Sequence, residues 1–252
     1  MSRQKLIMGN WKMNGDKATL HALIQHIKAI KPTPKSEVVV FPPYVYLEKA
    51  VWELRNSEIQ LGAQDVSQYD NGAYTGEISG SMLTDIGCKY VLIGHSERRH
   101  VMGETDEMIG HKVIKAFQAG LKPVLCVGET QEEHLAHRTE QIVLAQLESV
   151  LNLRAVADYL PQMIVAYEPV WAIGTGLTAT PLEAQKVHLM LREALGEKNK
   201  ALAEHVPIVY GGSVKASNAK HLFEMPDIDG ALIGGASLNG EEFHAICRMV
   251  EF

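Results

Sequence analysis

The fold of this chain is best judged from one stretch, which reads Val165-Ala166-Tyr167-Glu168-Pro169-Val170-Trp171-Ala172-Ile173-Gly174-Thr175-Gly176. Its apolar start is typical of a buried parallel strand and ends on the carboxylate of Glu168. A stiff Pro-Val-Trp follows, and then Gly-Thr-Gly, which has the freedom of a hinge. Shortly afterwards Thr180 and Glu183 form a capping box around Pro181, which predicts a helix start. The stretch therefore predicts a strand, a hinged loop and a helix in succession.

The same succession recurs along the whole chain. Helical spacing of apolar residues occupies 19–30, 140–151 and 181–195. Alternation of this kind favours a closed (β/α)8 barrel, formed as a single domain over residues 1–252 because no linker interrupts it. A doubly wound sheet is the alternative, but its G-x-G-x-x-G motif is missing after the first run. The eight apolar runs are Lys5 to Met8, Glu37 to Phe41, Ile59 to Ala63, Tyr90 to Ile93, Lys122 to Val127, Met163 to Tyr167, Val206 to Tyr210 and Asp229 to Ile233.

Composition excludes several classes of protein. The chain has 252 residues, 46% of them hydrophobic, and a formal net charge of -6. Without a Lys/Arg run, nucleic acid is not expected as a partner, although an anionic substrate is not excluded. No apolar stretch is long enough to span a membrane, and the N-terminus lacks the apolar core of a signal peptide. The three cysteines are widely spaced and predict a reducing compartment, so we expect a soluble, cytoplasmic protein.

Polar residues follow several of the predicted strands. In a barrel of this type the carboxyl ends of all strands meet at one rim, where chemistry takes place. Asn10 and Lys12 follow the first run, and alternation along an extended chain aims both side chains the same way. His95 follows the fourth run, and the helix predicted to begin after it disfavours a protonated imidazole. Two glycine-rich turns, Tyr210 to Val214 and Ile233 to Leu238, suit phosphate binding by backbone N–H groups.

Glu168 ends the sixth run, directly before the predicted hinge. A carboxylate that a lid can separate from water is a strong proton acceptor, because desolvation destabilises its ionised form. The alternative is an ordinary glutamate that precedes a tight turn. With His95 and Lys12 at the same rim, the prediction of a general base is favoured.

These strand-end motifs resemble those of the triosephosphate isomerase family. They occur in the family's order and spacing from Met8 to beyond Leu238, and together they are far more specific than a single glycine pair. The motifs are Asn10-Trp11-Lys12, Gly94-His95-Ser96-Glu97-Arg98-Arg99, Ala166 to Gly176, Tyr210 to Val214 and Gly234 to Leu238.

The resemblance implies an isomerase that interconverts D-glyceraldehyde 3-phosphate and dihydroxyacetone phosphate through an enediolate, in glycolysis, gluconeogenesis and the pentose shunt. It implies neither a metal nor an organic cofactor. Glu168 is then the base, and His95, Lys12 and Asn10 stabilise the enediolate oxygens. Glu97 either supports catalysis or forms a purely structural salt bridge with Lys12. The phosphate is expected to bind to Gly174, Ser213, Gly234 and Gly235.

Two further expectations come from the same resemblance. The loop from Gln64 to Glu77 is expected to enter a partner subunit, with Thr75 approaching the partner's active site, so a homodimer is implied. A lid is implied after Glu168, in which Ile173 closes apolar surface onto the base together with Leu232. The lid residues are Pro169, Val170, Trp171, Ala172, Ile173, Gly174, Thr175 and Gly176.

The same residues bear on three other possible functions: an aldolase, a zinc site and an inactive binding barrel. An aldolase on this fold needs a Schiff-base lysine or a metal with several histidines, and Lys12 is expected to be the only rim lysine. His134 and His137 lack a third ligand, so they are expected to be solvated helix positions rather than a zinc site. A catalytically inactive phosphosugar-binding barrel or interaction module is the alternative from another class. One departure from the family is Ala136-His137-Arg138-Thr139, which we expect on the fifth helix, outside the rim.

Overall fold

A computed structural model describes residues 3–34, 36–173 and 178–250 of the chain. Within these ranges the strands are β1 (Lys5–Asn10), β2 (Ser36–Phe41), β3 (Gln60–Ala63), β4 (Tyr90–Ile93), β5 (Lys122–Val127), β6 (Ile164–Tyr167), β7 (Ile208–Tyr210) and β8 (Gly230–Ile233). Each strand pairs in parallel with the next, and β1 also pairs with β8. The predicted (β/α)8 barrel is therefore confirmed, and the open sheet is excluded.

The helices lie on the outside of the barrel, with most strands followed by one or two of them. In the described ranges they are α1 (Lys17–Ile27), α2 (Leu47–Leu54), α3 (Gly80–Asp85), α4 (Ser96–His100), α5 (Asp106–Gln118), α6 (Gln131–Leu135), α7 (Thr139–Leu151), α8 (Pro181–Lys198), α9 (Lys200–His205), α10 (Ala216–Phe223) and α11 (Gly240–Arg248). None of these helices is long and apolar enough to cross a membrane.

Alternation along the strands divides the core into two layers. Side chains that face outward pack against the helices, as Ile7, Val40 and Val165 do. The inward side chains fill the barrel, so it is a packed core and not a pore. Phe41 fits because β3 carries Gly62 beside it, where a Cβ would lie 2.2 Å from Phe41 Cε1. The inward set is Leu6, Met8, Val39, Phe41, Tyr90, Leu92, Val124, Cys126, Ile164, Ala166, Val209 and Leu232.

The bounds of the elements refine the prediction at their ends. β1 runs two residues past the predicted Met8, so Asn10 is its last residue and not a loop residue. α1 begins at Lys17 because the side chain of Asp16 caps it, accepting from the N–H groups of Ala18 and Thr19. The predicted capping box of α8 is confirmed, since Thr180 and Glu183 bond each other's backbone N–H.

One face of α8 differs from the prediction. The helical spacing predicts one buried face that carries Leu182, Val187, Leu191 and Leu195. Leu191 and Leu195 are buried, but the side chain of Leu182 is 74% exposed. His188 and Arg192 are buried as well, and a hydrophobic pattern cannot mark such polar residues as buried.

The prediction for residues 136–139 is also wrong. α6 ends at Leu135 and α7 begins at Thr139, so the intervening residues form a turn rather than part of one helix. His137 has a φ of 56° there, in the left-handed region. His134 and His137 consequently do not share a helix, and the ring of His134 stacks on Trp171 at 4.4 Å between centroids.

Candidate active site

A cavity of about 350 Å³ opens at the carboxyl ends of the strands. All four predicted catalytic residues border it, as the barrel geometry requires. Thr75, Glu97 and the predicted lid residues 169–172 are not among its lining residues, and Gly174, Thr175 and Gly176 lie outside the described residues. The predicted residues that line the cavity are Asn10, Lys12, His95, Glu168, Ile173, Ser213, Leu232, Gly234 and Gly235.

Glu168 follows β6 directly and is only 2% exposed. Its Oε1 lies 2.9 Å from Nε2 of His95. Its Oε2 accepts the backbone N–H of Ser96 at 2.9 Å. Burial raises the pKa of Glu168, but the charge and hydrogen bond of His95, together with the Ser96 N–H, outweigh burial, so the pKa is lowered. The carboxylate is therefore ionised and bound by two donors of the rim.

His95 is held by hydrogen bonds at both ring nitrogens. Its Nδ1 accepts the N–H of Glu97 at 3.2 Å, which makes it the N-cap of α4. A nitrogen that accepts carries no proton, so in the neutral ring the proton lies on Nε2. Burial lowers the pKa of His95, but the charge and hydrogen bond of Glu168 outweigh it and raise the pKa overall. The imidazole is thus set to donate from Nε2.

Lys12 stands at the rim in a strained backbone conformation. Its φ is 50°, which is uncommon for a residue with a Cβ. Its N–H donates to Oδ1 of Asn10 at 3.0 Å, and its Nζ donates to Oε1 of Glu97 at 2.6 Å. Such strain is typical of functional sites, where surrounding contacts hold it in place. The contact with Glu97 aims the ammonium group across the rim.

Gln64 is a site residue that sequence reasoning did not find. It follows β3, and its Nε2 donates to the carbonyl oxygens of both Lys12 and Phe41 at 2.8 Å. These bonds hold the strained backbone of Lys12 in position. Its place directly after a strand is the available indication, but the sequence predicts it only as the start of the dimer loop.

Two glycines press on the backbone and side chain of Glu168 from neighbouring strands. A Cβ on Gly128, after β5, would lie 1.8 Å from the carbonyl oxygen of Glu168. A Cβ on Gly211, after β7, would lie 2.8 Å from Cγ of Glu168. Real Cβ atoms do not approach so closely, so both positions require glycine for this packing.

The opposite side of the cavity is formed after β7 and β8. Gly234 faces Lys12, whose Cε would be 3.4 Å from a Cβ added there. A Cβ on Gly235 would meet none of the described atoms within 4 Å, so it has no neighbour in this part of the chain. Lys215 also lines the cavity, which corrects the expectation that Lys12 is the only rim lysine. The rim thus carries two cations beside bare backbone, which suits an anion.

The first part of the predicted lid is described up to Ile173. Val170–Ala172 forms a 3₁₀ turn after Pro169. Glu129, which is fully buried, binds this turn twice: its carbonyl accepts Val170 N–H at 3.1 Å and its Oε1 accepts Trp171 Nε1 at 2.9 Å. Glu129 was not predicted as part of the site. It fixes the segment that follows the base.

Thr75 lies on an exposed loop rather than in the cavity of its own chain. The neighbouring Tyr74 stacks on Tyr69 with 4.1 Å between ring centroids, and both rings are more than a third exposed. Met13, after β1, is 95% exposed. In the described part of the chain, no three His, Cys, Asp or Glu side chains are grouped to hold a metal ion.

Known proteins resemble this chain over nearly its whole length. A family model described as Triosephosphate isomerase matches residues 5–250. A protein named Triosephosphate isomerase from Herminiimonas arsenicoxydans is 52% identical over 246 residues, which cover 98% of this chain and 99% of the relative. One of the same name from Nitrosococcus oceani is 49% identical over 98% of both chains. Another, from Coxiella burnetii, is 47% identical over 96% of both chains.

Proposed function

Since this chain belongs to the triosephosphate isomerase family, we propose that Glu168 and His95 perform its reaction in the cavity at the carboxyl end of the barrel. The enzyme is a cofactor-independent isomerase that interconverts D-glyceraldehyde 3-phosphate and dihydroxyacetone phosphate, in glycolysis and gluconeogenesis. The observation that carries the assignment is the contact of Glu168 Oε1 with His95 Nε2, at 2.9 Å.

In the proposed reaction, Glu168 removes a proton from the carbon next to the substrate carbonyl. The electron pair of the broken C–H bond forms the enediolate, and the negative charge gathers on the carbonyl oxygen. His95 donates its Nε2 proton as a hydrogen bond to that oxygen, while Lys12 and Asn10 stabilise the charge. Glu168 then returns the proton to the adjacent carbon, which gives the other triose phosphate.

Substrate has to separate the two groups before this chemistry begins. A substrate oxygen takes the position of Glu168 Oε1 on His95 Nε2, and the carboxylate turns toward the substrate carbon. Once Glu168 leaves, the contact that raises the pKa of His95 is lost, while the burial that lowers it remains. The imidazole is then favoured in its neutral form. In this family the neutral imidazole is the form that polarises the substrate carbonyl.

Backbone groups are proposed to bind the phosphate. Gly234 and Gly235 begin a 3₁₀ turn after β8, and Ser213 follows the glycine pair after β7. Phosphate sites in such barrels generally lie after the last two strands. This placement supports binding of the phosphate by these backbone groups together with Lys12. Gly174, which lies outside the described residues, is proposed to join them from the lid.

The lid is proposed to exclude water from the base. Ile173 and Leu232 both line the cavity and present apolar surface near Glu168. A closed apolar cover strengthens the base and protects the enediolate from loss of phosphate. Glu97 is proposed to support catalysis by holding Lys12, with which it forms its ion pair.

We also propose that the enzyme is a homodimer in the cytoplasm. Exposed apolar side chains follow four adjacent strands at the same barrel end, which is typical of a protein interface. Thr75 lies in this region and is proposed to approach the partner's active site. Cys88 and Cys126 are buried free thiols, which fit a reducing compartment. The exposed side chains are Met13, Val45, Tyr69, Tyr74, Val101 and Met102.

The test of the proposed base compares isomerase activity of Glu168→Gln with that of Glu148→Gln. Glu148 is an exposed carboxylate on α7, far along the outer surface. We expect Glu168→Gln to lose about 10³-fold or more in kcat, as loss of a general base does, and Glu148→Gln to lose nothing. A folded Glu168→Gln protein with nearly full turnover would refute the assignment. A folded wild type that binds dihydroxyacetone phosphate without turnover would point to the inactive binding barrel.

A further inference from the structure

A second cavity, of about 570 Å³, lies outside the active site. Residues of α7 and α8 form its two sides, and Trp171 and the fully buried Glu129 form its inner wall. Small-molecule sites in proteins commonly measure about 300–1,000 Å³, so this cavity is large enough for one. Apart from Trp171 and Glu129, which belong to the segment after Glu168 and to its support, its lining is not part of the site described above.

Charge in this cavity is predominantly negative. Four carboxylates line it, from Glu129, Glu140, Glu183 and Glu193, against the single ammonium of Lys186. Of the four carboxylates, Glu129 contributes the strongest electrostatic field, because it is fully buried and water screens it poorly. Its Oε1 accepts from Tyr167 OH, Thr139 Oγ1 and Trp171 Nε1 and lies 3.4 Å from Nδ1 of His134, whereas its Oε2 has no hydrogen-bond partner among the described residues. The resulting field favours a cation.

The wall of the cavity consists of aromatic rings and flexible apolar side chains. The rings of Trp171 and His134 stack at 4.4 Å between centroids. Met190 and Val187 of α8 line the cavity from the other side. Aromatic faces attract cations, and thioether side chains adapt to flat ring systems. The cavity therefore combines negative charge with surface for an apolar body.

The inner wall is connected to the active site by hydrogen bonds. The carboxylate of Glu129 accepts Trp171 Nε1 and its carbonyl accepts Val170 N–H. Val170 and Trp171 follow the base Glu168 by two and three positions, respectively. A molecule packed on Trp171 stabilises this arrangement over others. In the same arrangement both oxygens of Glu168 are bound by His95 and Ser96 and not by substrate.

We propose that this cavity binds a small organic cation with an aromatic body, and that its occupation lowers turnover by holding the residues that follow Glu168. The second part rests on the proposed role of Glu168. The first part does not, because binding is measured without substrate.

Benzamidine is the probe, and benzamide, which has the same shape without the charge, is its control. We expect benzamidine to bind with a Kd on the order of 1 mM, as suits so small a ligand, and benzamide at least tenfold more weakly. Binding is followed by protein NMR at the indole N–H of Trp171, assigned with Trp171→Phe. Equal binding of the two compounds, or no shift at Trp171, would overturn the site.

Charge variants test the electrostatic argument in both directions. Glu140→Gln is expected to weaken benzamidine binding about two- to fivefold, and Lys186→Gln to strengthen it by a similar factor, because both side chains are exposed at the cavity. Glu148→Gln, on the same helix as Glu140 but outside the lining, is expected to change nothing. Equal weakening by Glu140→Gln and Glu148→Gln would show that only the net charge matters and would contradict the site.

Kinetics test the coupling. Saturating benzamidine is expected to lower kcat/KM of the wild type at least twofold and to have less effect on Met190→Trp, whose larger side chain takes up part of the cavity. Equal inhibition of Met190→Trp would mean that the probe binds at the active site and would refute the coupling. Binding at Trp171 without any change in kcat/KM would refute it as well.

Discussion

Oε1 of Glu168 lies 2.9 Å from Nε2 of His95, so the proposed base and the proposed proton donor bind each other. Each group is thereby shielded from water and held at the position where substrate must enter. The pair also shifts both pKa values, since each group favours the form of the other that completes the contact. Separation of the two residues is therefore the first event that substrate has to cause.

The pKa of Glu168 is expected below its usual 4.5 in the wild type, because the donors of His95 and Ser96 outweigh burial. In His95→Leu, burial prevails and we expect the pKa of Glu168 to rise. A folded pKa below the unfolded one stabilises the protein above about pH 4.5, and this contribution is lost as the pH falls through the lowered pKa. Carboxyl ¹³C NMR titration measures both proteins. A wild-type pKa above 4.5 would contradict the geometry.

Gln64 is expected to act as a positioning residue for Lys12. Gln64→Leu removes two donors from carbonyl oxygens that face them, so we expect stability to fall by about 1–3 kcal/mol in urea unfolding. We also expect kcat/KM to fall about tenfold, because the ammonium of Lys12 is no longer held in place. Gln60→Leu, at the other end of β3, is the control and should leave kcat/KM intact. An unchanged kcat/KM in Gln64→Leu would exclude the role.

Gly235→Ala tests the proposed phosphate site separately from folding. Its added Cβ meets no atom of the described residues within 4 Å, so we expect an unchanged melting temperature. Inhibition by inorganic phosphate is expected to weaken about tenfold, because the methyl group enters the space in which backbone N–H groups meet an anion. In Gly212→Ala the Cβ would lie 2.2 Å from the Tyr210 hydroxyl, so that variant should lose stability instead. Full phosphate affinity in Gly235→Ala would move the site elsewhere.

Arg192 is expected to matter for stability but not for chemistry. It binds Asp229 at 2.5 Å beside the starts of β7 and β8, at the barrel end opposite the cavity. Arg192→Leu leaves that buried carboxylate with less compensation, so we expect a loss of about 3–5 kcal/mol in urea unfolding. The folded fraction should keep its kcat/KM. The double variant with Asp229→Asn should lose less than the sum of the single losses, and additive losses would argue against the pair.

Tyr74→Asp tests the proposed dimer. A charge beside Thr75 in the exposed apolar region is expected to weaken self-association at least tenfold, which sedimentation at micromolar concentration detects. Leu135→Asp replaces an apolar residue on α6 that is 70% exposed, against 44% for Tyr74, and should leave the assembly intact. A wild type that sediments as a monomer, or two variants that behave alike, would count against this interface.

The elements of the barrel could be predicted because each strand is a continuous apolar run that is buried on both faces. Position after a strand was enough to find Glu168, His95 and Asn10, since the closed parallel sheet brings all carboxyl ends to one rim. The sequence pattern alone therefore predicted most of the cavity lining.

Contacts between distant residues could not be predicted in the same way. The bond from Gln64 to the carbonyl of Lys12 depends on two strands meeting in register, and the left-handed φ of Lys12 has no local cause such as glycine. The buried face of α8 was misjudged because Arg192 and His188 are paired polar residues inside the packing. Tertiary contacts decided each of these cases.

Gly128 and Gly211 have a consequence for how this enzyme can evolve. Neither contributes a functional group, yet any side chain at either position would displace the backbone or the Cγ of Glu168. Substitution at these two positions is therefore prevented by the packing that the proposed base, Glu168, requires. A survey that ranks residues by reactive groups would pass over both, whereas saturation mutagenesis scored on turnover would rank them beside the base.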